Sequence, residues 1–131
     1  MAELTCIVVT PEETALEETT NFVALPLFDG EIGIAPGHSP MIGRLGYGEM
    51  RIETKGGSSL YYIDGGFVQV ADNVVSVLTS RAVPAAEVDG KVAEEQLESA
   101  RSMPSNTPEL MDIRDRAVAQ ARAQIRVAKK V

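Results

Sequence analysis

The sequence has 131 residues, 19 acidic and 12 basic side chains, and a formal net charge of −7. A chain of this length normally forms one domain with at most a small appendage, and 44% apolar residues are enough for a core. It lacks a run of about 18 apolar residues, and its start, Met1–Leu4, has no basic segment, so we expect neither membrane insertion nor a signal peptide. One cysteine, Cys6, excludes an intramolecular disulfide, and one histidine, His38, excludes a histidine-clustered metal site.

Charge is divided unevenly along the chain. Residues 1–100 carry 16 acidic and 5 basic side chains, a net charge of −11, whereas residues 101–131 carry 3 acidic and 7 basic side chains, a net charge of +4. The acidic part argues against nucleic-acid binding, which requires many basic residues. The basic end is typical of a partner-binding surface, and equally of a solvated helix whose last turns carry cations because the helix dipole favours them there.

Residues 1–84 have the pattern of a β domain. Short runs rich in β-branched residues alternate with Gly, Pro, Asp and Asn turn signals. Turns are predicted at 55–58, 64–66 and 72–73, because Gly and Asn supply the positive φ angles that tight turns need. Strands are predicted over residues 4–9, 22–25, 32–34, 49–53, 60–63, 67–70 and 74–78. Many short strands favour a β-sandwich or flattened barrel.

Residues 85–131 predict an antiparallel two-helix hairpin. Apolar residues spaced by three and four predict a first helix over 85–103. A second helix is predicted from Pro108 to near the C-terminus, with Thr107 as its N-cap. Its apolar stripe is mostly alanine: Leu110, Ile113, Ala117, Ala121, Ile125 and Ala128. Such a stripe buries little area, so the hairpin must dock on the β domain or on another protein.

The residues do not form a recognisable catalytic set. Ser39 cannot form a triad with the adjacent His38, because a hydroxyl and an imidazole must face each other across space, so we expect a packing or interface role for His38. Cys6 lies in a strand pattern and is interpreted as a small core residue. Residues 64–66, DGG, lack the pattern of a phosphate-binding loop. The residues alone predict a non-catalytic subunit of a larger assembly.

Two long segments resemble the epsilon subunit of bacterial F-type ATP synthase. Residues 29–40, DGEIGIAPGHSP, are similar to the family's DGE-G-PGHAP signature. Residues 61–70, YYIDGGFVQV, followed by NVVSVL at 73–78, are similar to its YxxGGFxEV…NxVTVL stretch. The resemblance implies an N-terminal β-sandwich of about ten strands over residues 1–84, followed by a helical hairpin over residues 85–131.

The resemblance also implies a function and a set of partners. The family member would be a non-catalytic rotor subunit of the central stalk, coupling proton-driven rotation of the c ring through the gamma subunit to ATP synthesis. Its C-terminal helices would restrain ATP hydrolysis at the catalytic alpha and beta subunits. Glu31 would face the c ring, His38 would lie near gamma, and the last helix would bind its partner through Arg122, Arg126, Lys129 and Lys130. The implied location is peripheral, on the cytoplasmic face of the bacterial inner membrane, and the lack of an Arg- and Ser-rich leader favours a bacterial over an organellar origin.

Some members of this family bind ATP through an I/L-D-x-x-R-A motif at the start of the first helix. Here residues 88–93 read VDGKVA, so Asp89 and Ala93 agree, whereas Val92 replaces the arginine. Together with Arg122 and Arg126, these residues imply at most a weak regulatory ATP site, and we expect no other cofactor. The alternative to the family's function is a small β-sandwich that binds proteins or carbohydrates and carries a basic helical arm.

Overall fold

A computed structural model describes residues 3–130 and contains eight strands followed by two helices. The strands are β1 (Leu4–Val9), β2 (Thr14–Thr20), β3 (Phe22–Leu27), β4 (Gly30–Ile34), β5 (Met41–Thr54), β6 (Gly57–Ala71), β7 (Val74–Leu78) and β8 (Ala82–Pro84). A 3₁₀ turn (Ala85–Glu87) leads into α1 (Gly90–Arg101) and α2 (Pro108–Ala128). The predicted fold class, a β-sandwich followed by two helices, is confirmed, with eight strands in place of about ten.

The strands are hydrogen-bonded in the order β2-β1-β7-β6-β5-β3-β4, and β8 pairs with β6. β1 runs parallel to β7, and the other pairs are antiparallel. Alternate side chains of the strands point into one core, which includes Leu4, Cys6, Val8, Val23, Leu25, Ile34, Met50, Ile52, Ile63, Val68, Val70, Val75 and Val77. Cys6 is fully buried, as predicted, and burial raises the pKa of its thiol to about 12.

The turn predicted at residues 64–66 is wrong, because β6 continues through these residues as one strand of 15 residues. Gly65 and Gly66 have positive φ angles, 75° and 111°, but the chain does not reverse here, because the pairing of β6 with β5 keeps one register from Leu45–Gly66 to Tyr47–Asp64. The positive φ angles therefore serve a distortion within a long strand pair, which we call the glycine kink. The turn predicted at Asp72 and Asn73 is confirmed, with φ angles of 50° and 62° between β6 and β7.

Side chains of β5 and β6 change face at the glycine kink. In β6 the buried positions change from Ile63 to Val68, five residues apart, which a regular strand would place on opposite faces. In β5 they change in the same way from Leu45 to Met50. Because the pairing register is unchanged, the two strands change face together, and both halves of the pair contact the same core.

The backbone around the glycine kink leaves no room for a side chain at Gly46 or Gly66. A Cβ atom at Gly66 would lie 1.9 Å from the carbonyl oxygen of Leu78, and one at Gly46 would lie 2.8 Å from that of Leu27. These distances are far shorter than a van der Waals contact between carbon and oxygen. Glycine is therefore required at both positions by space, and at Gly66 also by backbone conformation.

The first helix begins later than predicted, at Gly90 and not at residue 85. The reason is local: the Asp89 carboxylate accepts hydrogen bonds from the N–H groups of Lys91 and Val92, which fixes Asp89 as the N-cap. Gly90 is consequently the first helical residue. The predicted start of α2 is confirmed, because the Thr107 hydroxyl accepts a hydrogen bond from Leu110 N–H at 3.2 Å.

α2 packs on β5 and β6, and α1 packs on α2. Two faces of α2 are therefore buried, whereas the sequence predicted one stripe. Ala121 lines the contact with α1, while Ala123 and Val127 pack against Tyr62 of the sheet. Two predicted stripe residues, Val92 in α1 and Ile113 in α2, are instead 45% and 49% exposed. Neither helix, within the part of the chain described, is long and apolar enough to cross a membrane.

Substitution of Gly66 by alanine tests whether the glycine kink is essential for the stability of the fold. Gly57, at the start of β6, is the matched control, because its φ angle is also positive, 130°, but nothing lies within 4 Å of an added Cβ atom. Both substitutions strain the backbone, but only Gly66→Ala also overpacks it. We expect the free energy of unfolding of Gly66→Ala, measured by urea denaturation, to be lower than that of Gly57→Ala by about 1–3 kcal/mol. Equal stabilities would show that the strand pair can relax around a side chain here.

Candidate partner-binding surfaces

The sandwich exposes large apolar side chains on adjacent strands. Ile42 of β5, Phe67 of β6 and Leu78 of β7 are 76%, 56% and 49% exposed. Phe67 pairs directly with Leu78 on one side and with Arg44 on the other, and Ile42 lies two residues from Arg44. Because paired residues and residues two apart share a face of a sheet, Ile42, Phe67 and Leu78 form one surface, which we call the apolar face.

The apolar face continues onto β1. Ile7 and Val9, both half-buried, pair with Ser76 and Leu78 of β7 and therefore point to the same side. Sequence reasoning missed this surface, although the sequence contained a signal: Phe67 is in phase with the polar Gln69. An aromatic side chain in the polar phase of a strand lies outside the core. Such contiguous exposed apolar residues mark interaction sites.

Arg44 connects the apolar face to the helices. Its guanidinium lies 5.5 Å from the centre of the Phe28 ring, a cation–π contact, and Phe28 is itself exposed. Phe28 and Arg44 line a cleft with Arg122 and Arg126 of α2. Two of the cations predicted to bind a partner thus lie at the edge of the contact between α2 and the sheet.

Glu31 and His38 lie towards opposite ends of β4. Glu31 is exposed near the start of the strand, whereas half-buried His38 lies in the turn that follows it. Gly37 N–H donates to the side-chain carbonyl of Asn73 at 2.7 Å, which fixes this turn against the β6–β7 turn. His38 Nδ1 donates to the Ser39 carbonyl oxygen at 2.7 Å. The two residues are separated by β4, and the structure does not bring them together.

The C-terminal cations of α2 face carboxylates of the sheet. Lys130 Nζ lies 2.5 Å from Glu49 Oε2, and the Glu49 side chain is only 20% exposed. Glu31 and Glu49 line one cleft with Arg126 and Lys130. Two of the four predicted cations, Arg126 and Lys130, therefore lie beside acids of the same chain, and Arg122 and Lys129 are exposed.

Asp64, at the glycine kink, forms a hydrogen bond with α2. Its Oδ1 accepts hydrogen bonds from the Tyr62 hydroxyl at 2.7 Å and from Gln120 Nε2 at 3.1 Å. The Ser80 hydroxyl lies 2.9 Å from the Asp64 carbonyl oxygen and 3.2 Å from Oδ2. Burial, and then the hydrogen bond to Asp64, raise the pKa of Tyr62, so its hydroxyl stays protonated and donates to the carboxylate.

Comparison with known proteins identifies the family. Residues 3–85 match the family described as ATP synthase, Delta/Epsilon chain, beta-sandwich domain. The ATP synthase epsilon chain of Rhodopirellula baltica is 52% identical over 124 residues, which cover 95% of this chain and 97% of that relative. The chain belongs to the ATP synthase epsilon chain family. The epsilon chain of Granulibacter bethesdensis, 31% identical, covers 98% of this chain and 99% of that relative.

Solved structures agree with the epsilon-chain assignment. A chain of the Euglena gracilis mitochondrial ATP synthase, in an OSCP/F1/c-ring assembly, superposes with a TM-score of 0.84 at 28% identity, covering 94% of this chain and 79% of that chain. A chain of the Tetrahymena thermophila mitochondrial ATP synthase, 16% identical, shares the fold with a TM-score of 0.76, covering 95% and 96% of the two chains.

Membership of the epsilon family settles two points raised by the sequence. Epsilon chains are non-catalytic subunits of the membrane-associated ATP synthase complex, so the chain is a component of that complex and not an enzyme by itself. The same assignment decides against the alternative of an independent protein- or carbohydrate-binding module. In residues 3–130, no group of three or more His, Cys, Asp or Glu side chains is arranged to hold a metal ion.

The four residues considered for ATP binding lie on different sides of α2. The Asp89 carboxylate is occupied in capping α1, and Ala93 is fully buried. Arg122 and Arg126 line the cleft with Phe28. On a helix of 3.6 residues per turn, they point away from the side where Ala121 contacts α1. The structure therefore does not bring Asp89 and Ala93 together with the two arginines.

An ATP titration of the isolated chain tests this arrangement. We expect no saturable binding below about the millimolar range, because four separated groups cannot hold one triphosphate and the affinity of any one contact is small. Isothermal titration calorimetry measures it, and the Val92→Arg variant, which restores the motif's arginine, is the comparison. Micromolar binding by the unaltered chain would contradict the expectation and indicate a second arrangement of the helices.

Proposed function

We propose that the chain is a rotor subunit of the central stalk of an F-type ATP synthase. There it couples proton-driven rotation of the c ring, through the gamma subunit, to ATP synthesis at the catalytic subunits. Its helices restrain ATP hydrolysis. In this proposal the chain has two domains with different partners. The β-sandwich domain, residues 1–84, binds gamma and the c ring. The helical domain, residues 85–131, binds the alpha and beta subunits. The observation that carries the proposal is the apolar face.

The apolar face is the proposed gamma-binding surface. Ile42, Phe67 and Leu78 are exposed on neighbouring strands of a rigid sheet, and burying one such side chain stabilises a complex by about 1.5–3 kcal/mol. His38, in the turn beyond β4, is proposed to contribute at the periphery of this contact. A preformed surface on hydrogen-bonded strands loses little conformational entropy when it binds. Its rigidity also suits it to the transmission of torque.

Glu31 and the turn before it are proposed to contact the c ring. Glu31 is exposed and follows a tight turn, in which Gly30 has a φ angle of 154°. The strand that carries it is hydrogen-bonded to β3, so the carboxylate is held on a short, stiff segment. Such a contact transmits force from the ring to the sandwich.

The basic end of α2 is proposed to bind the catalytic subunits when the helices extend from the sheet. Arg122, Arg126, Lys129 and Lys130 are all exposed to solvent. α2 presents Ala123 and Val127 to the sheet and Ala121 to α1, and these side chains bury less apolar area than leucines would at the same positions. The proposed location follows from these partners: the chain is peripheral, on the cytoplasmic face of the bacterial inner membrane.

Polar substitutions on the apolar face test gamma binding. We expect Ile42→Ser and Phe67→Ser each to weaken binding of purified gamma subunit by tenfold or more, because each removes an apolar side chain from the contact, about 1.5 kcal/mol or more. Val92→Ser, at an exposed apolar residue of α1, is the matched control and should bind normally. Unchanged affinity in both sandwich variants, with native circular dichroism, would exclude this face.

Neutralising the basic end tests the restraint on hydrolysis. We expect the variant with Arg122, Arg126, Lys129 and Lys130 changed to glutamine, and the chain lacking residues 104–131, to assemble normally and raise ATP hydrolysis by the reconstituted complex. The restraint requires attraction between cations and an acidic partner, which salt also weakens. Lys55→Gln and Lys91→Gln, exposed cations outside α2, are the controls. An unchanged hydrolysis rate would exclude an inhibitory role for these helices.

A further inference from the structure

We propose that two carboxylates of the sheet, Glu49 and Asp64, set the fraction of molecules in which α2 is docked. Glu49 forms an ion pair with Lys130, and Asp64 accepts a hydrogen bond from Gln120. We call these the two docking contacts. The further statement that they regulate the restraint on ATP hydrolysis rests on the proposed function.

The Glu49 contact engages a cation, Lys130, that is also proposed to bind the catalytic subunits. Lys130 is one of four cations proposed to bind them when α2 is extended, and its ion pair with Glu49 forms only when α2 is docked. Arg126 and Glu31 line the same cleft, so the charges of helix and sheet are complementary over more than one pair. Extension of α2 would remove Arg126 and Lys130 from the cleft that Glu31 and Glu49 line, so the loss of opposite charges there favours docking.

The Asp64 contact depends on a carboxylate that the sheet holds in place. The Tyr62 and Ser80 hydroxyls bind Asp64 from the sheet side, and the Asp64 N–H donates to the Arg81 carbonyl oxygen at 3.1 Å. Gln120 is the donor that α2 supplies. Because the Asp64 carboxylate is already held in place, its side chain does not have to be ordered when α2 docks. The Gln120 amide can therefore bind it in one defined geometry.

The two polar contacts lie beside an apolar cluster that also holds α2 on the sheet. α2 contributes Ala123 and Val127 to this cluster, where they pack with Tyr62. The apolar cluster is the same in variants that alter only the polar contacts. Loss of one hydrogen bond or ion pair should therefore change the ratio of docked to extended molecules by the free energy of that contact.

The two contacts differ in their response to salt. The Lys130 side chain is 57% exposed, so ions screen its pairing with Glu49. The contact between Asp64 and Gln120 is part-buried and joins a charge to a neutral amide, so salt affects it less. We expect the docked fraction to fall with salt in the unaltered chain, and to fall less in a variant without the ion pair.

Distance measurements on the full chain test the proposal. Spin labels are attached at Lys55→Cys, in the β5–β6 turn, and Ser105→Cys, in the turn between α1 and α2, both of which are exposed. Cys6 is fully buried and does not react with the label in the folded chain. Pulsed electron resonance then gives the populations with docked and extended helices.

We expect Glu49→Gln to lower the ratio of docked to extended molecules by about two- to fivefold. Gln120→Glu, which places a carboxylate against Asp64, should lower the ratio by about tenfold or more. Glu53→Gln is the matched control, because Glu53 lies on the same strand but pairs with Arg51 at 2.9 Å, and it should leave the ratio unchanged. Exchange of the pair, Glu49→Lys with Lys130→Glu, should restore the ratio.

An effect of Glu53→Gln equal to that of Glu49→Gln, or failure of the exchanged pair to restore docking, would overturn the Glu49 contact. A ratio unchanged by Gln120→Glu would overturn the Asp64 contact. Hydrolysis by the reconstituted complex is measured with the same variants, and Glu49→Gln should lower it. If the docked fraction falls but hydrolysis does not, the docking contacts are supported and the proposed inhibitory role is wrong.

Discussion

The arrangement of the molecule depends on the close approach of the β6 backbone to the carbonyl group of Leu78. Only glycine fits at position 66, because a Cβ atom there would overlap that oxygen. With Gly65 it forms the glycine kink, at which the alternation of side chains along β6 changes phase. Residues before the kink, Tyr62 and Asp64, thereby face α2, and Phe67 after it faces solvent.

This constraint places the apolar face and the docking surface of α2 on one pair of strands. The apolar face lies on the first half of β5 and the second half of β6, and the surface that receives α2 lies on the remaining halves. Because the strands are hydrogen-bonded from Met41–Val70 to Thr54–Gly57, the two surfaces cannot move independently. A partner bound to one surface therefore has a fixed orientation relative to helices docked on the other.

The sequence predicted the fold class and the helix start at Thr107, because both depend on local signals: alternation with turn residues, and an N-cap followed by proline. It did not predict the glycine kink, since the residues DGG at 64–66 are equally compatible with a turn. Only pairing with β5 decides between a turn and a continuous strand. The separate segments predicted over 60–63 and 67–70 are one strand for the same reason.

The candidate sites were predicted in part. Glu31, His38 and the four cations came from family resemblance, and local patterns do not show that Glu49 lies opposite Lys130, 81 positions away. The apolar face was also missed, because the alternation along each strand does not show that Ile42, Phe67 and Leu78 lie side by side. Long-range pairing of β5, β6 and β7 brings these residues onto one surface, and local patterns do not show that pairing.

The alanines on the docking surface of α2 have a kinetic consequence. A methyl side chain has no rotamers to order, so the alanine positions need no side-chain rearrangement if the helices dock and release as proposed. The barrier to such an exchange would then arise chiefly from displacement of the helices and from breaking the polar contacts of Gln120 and Lys130. Interlocked leucines would give slower exchange at the same equilibrium.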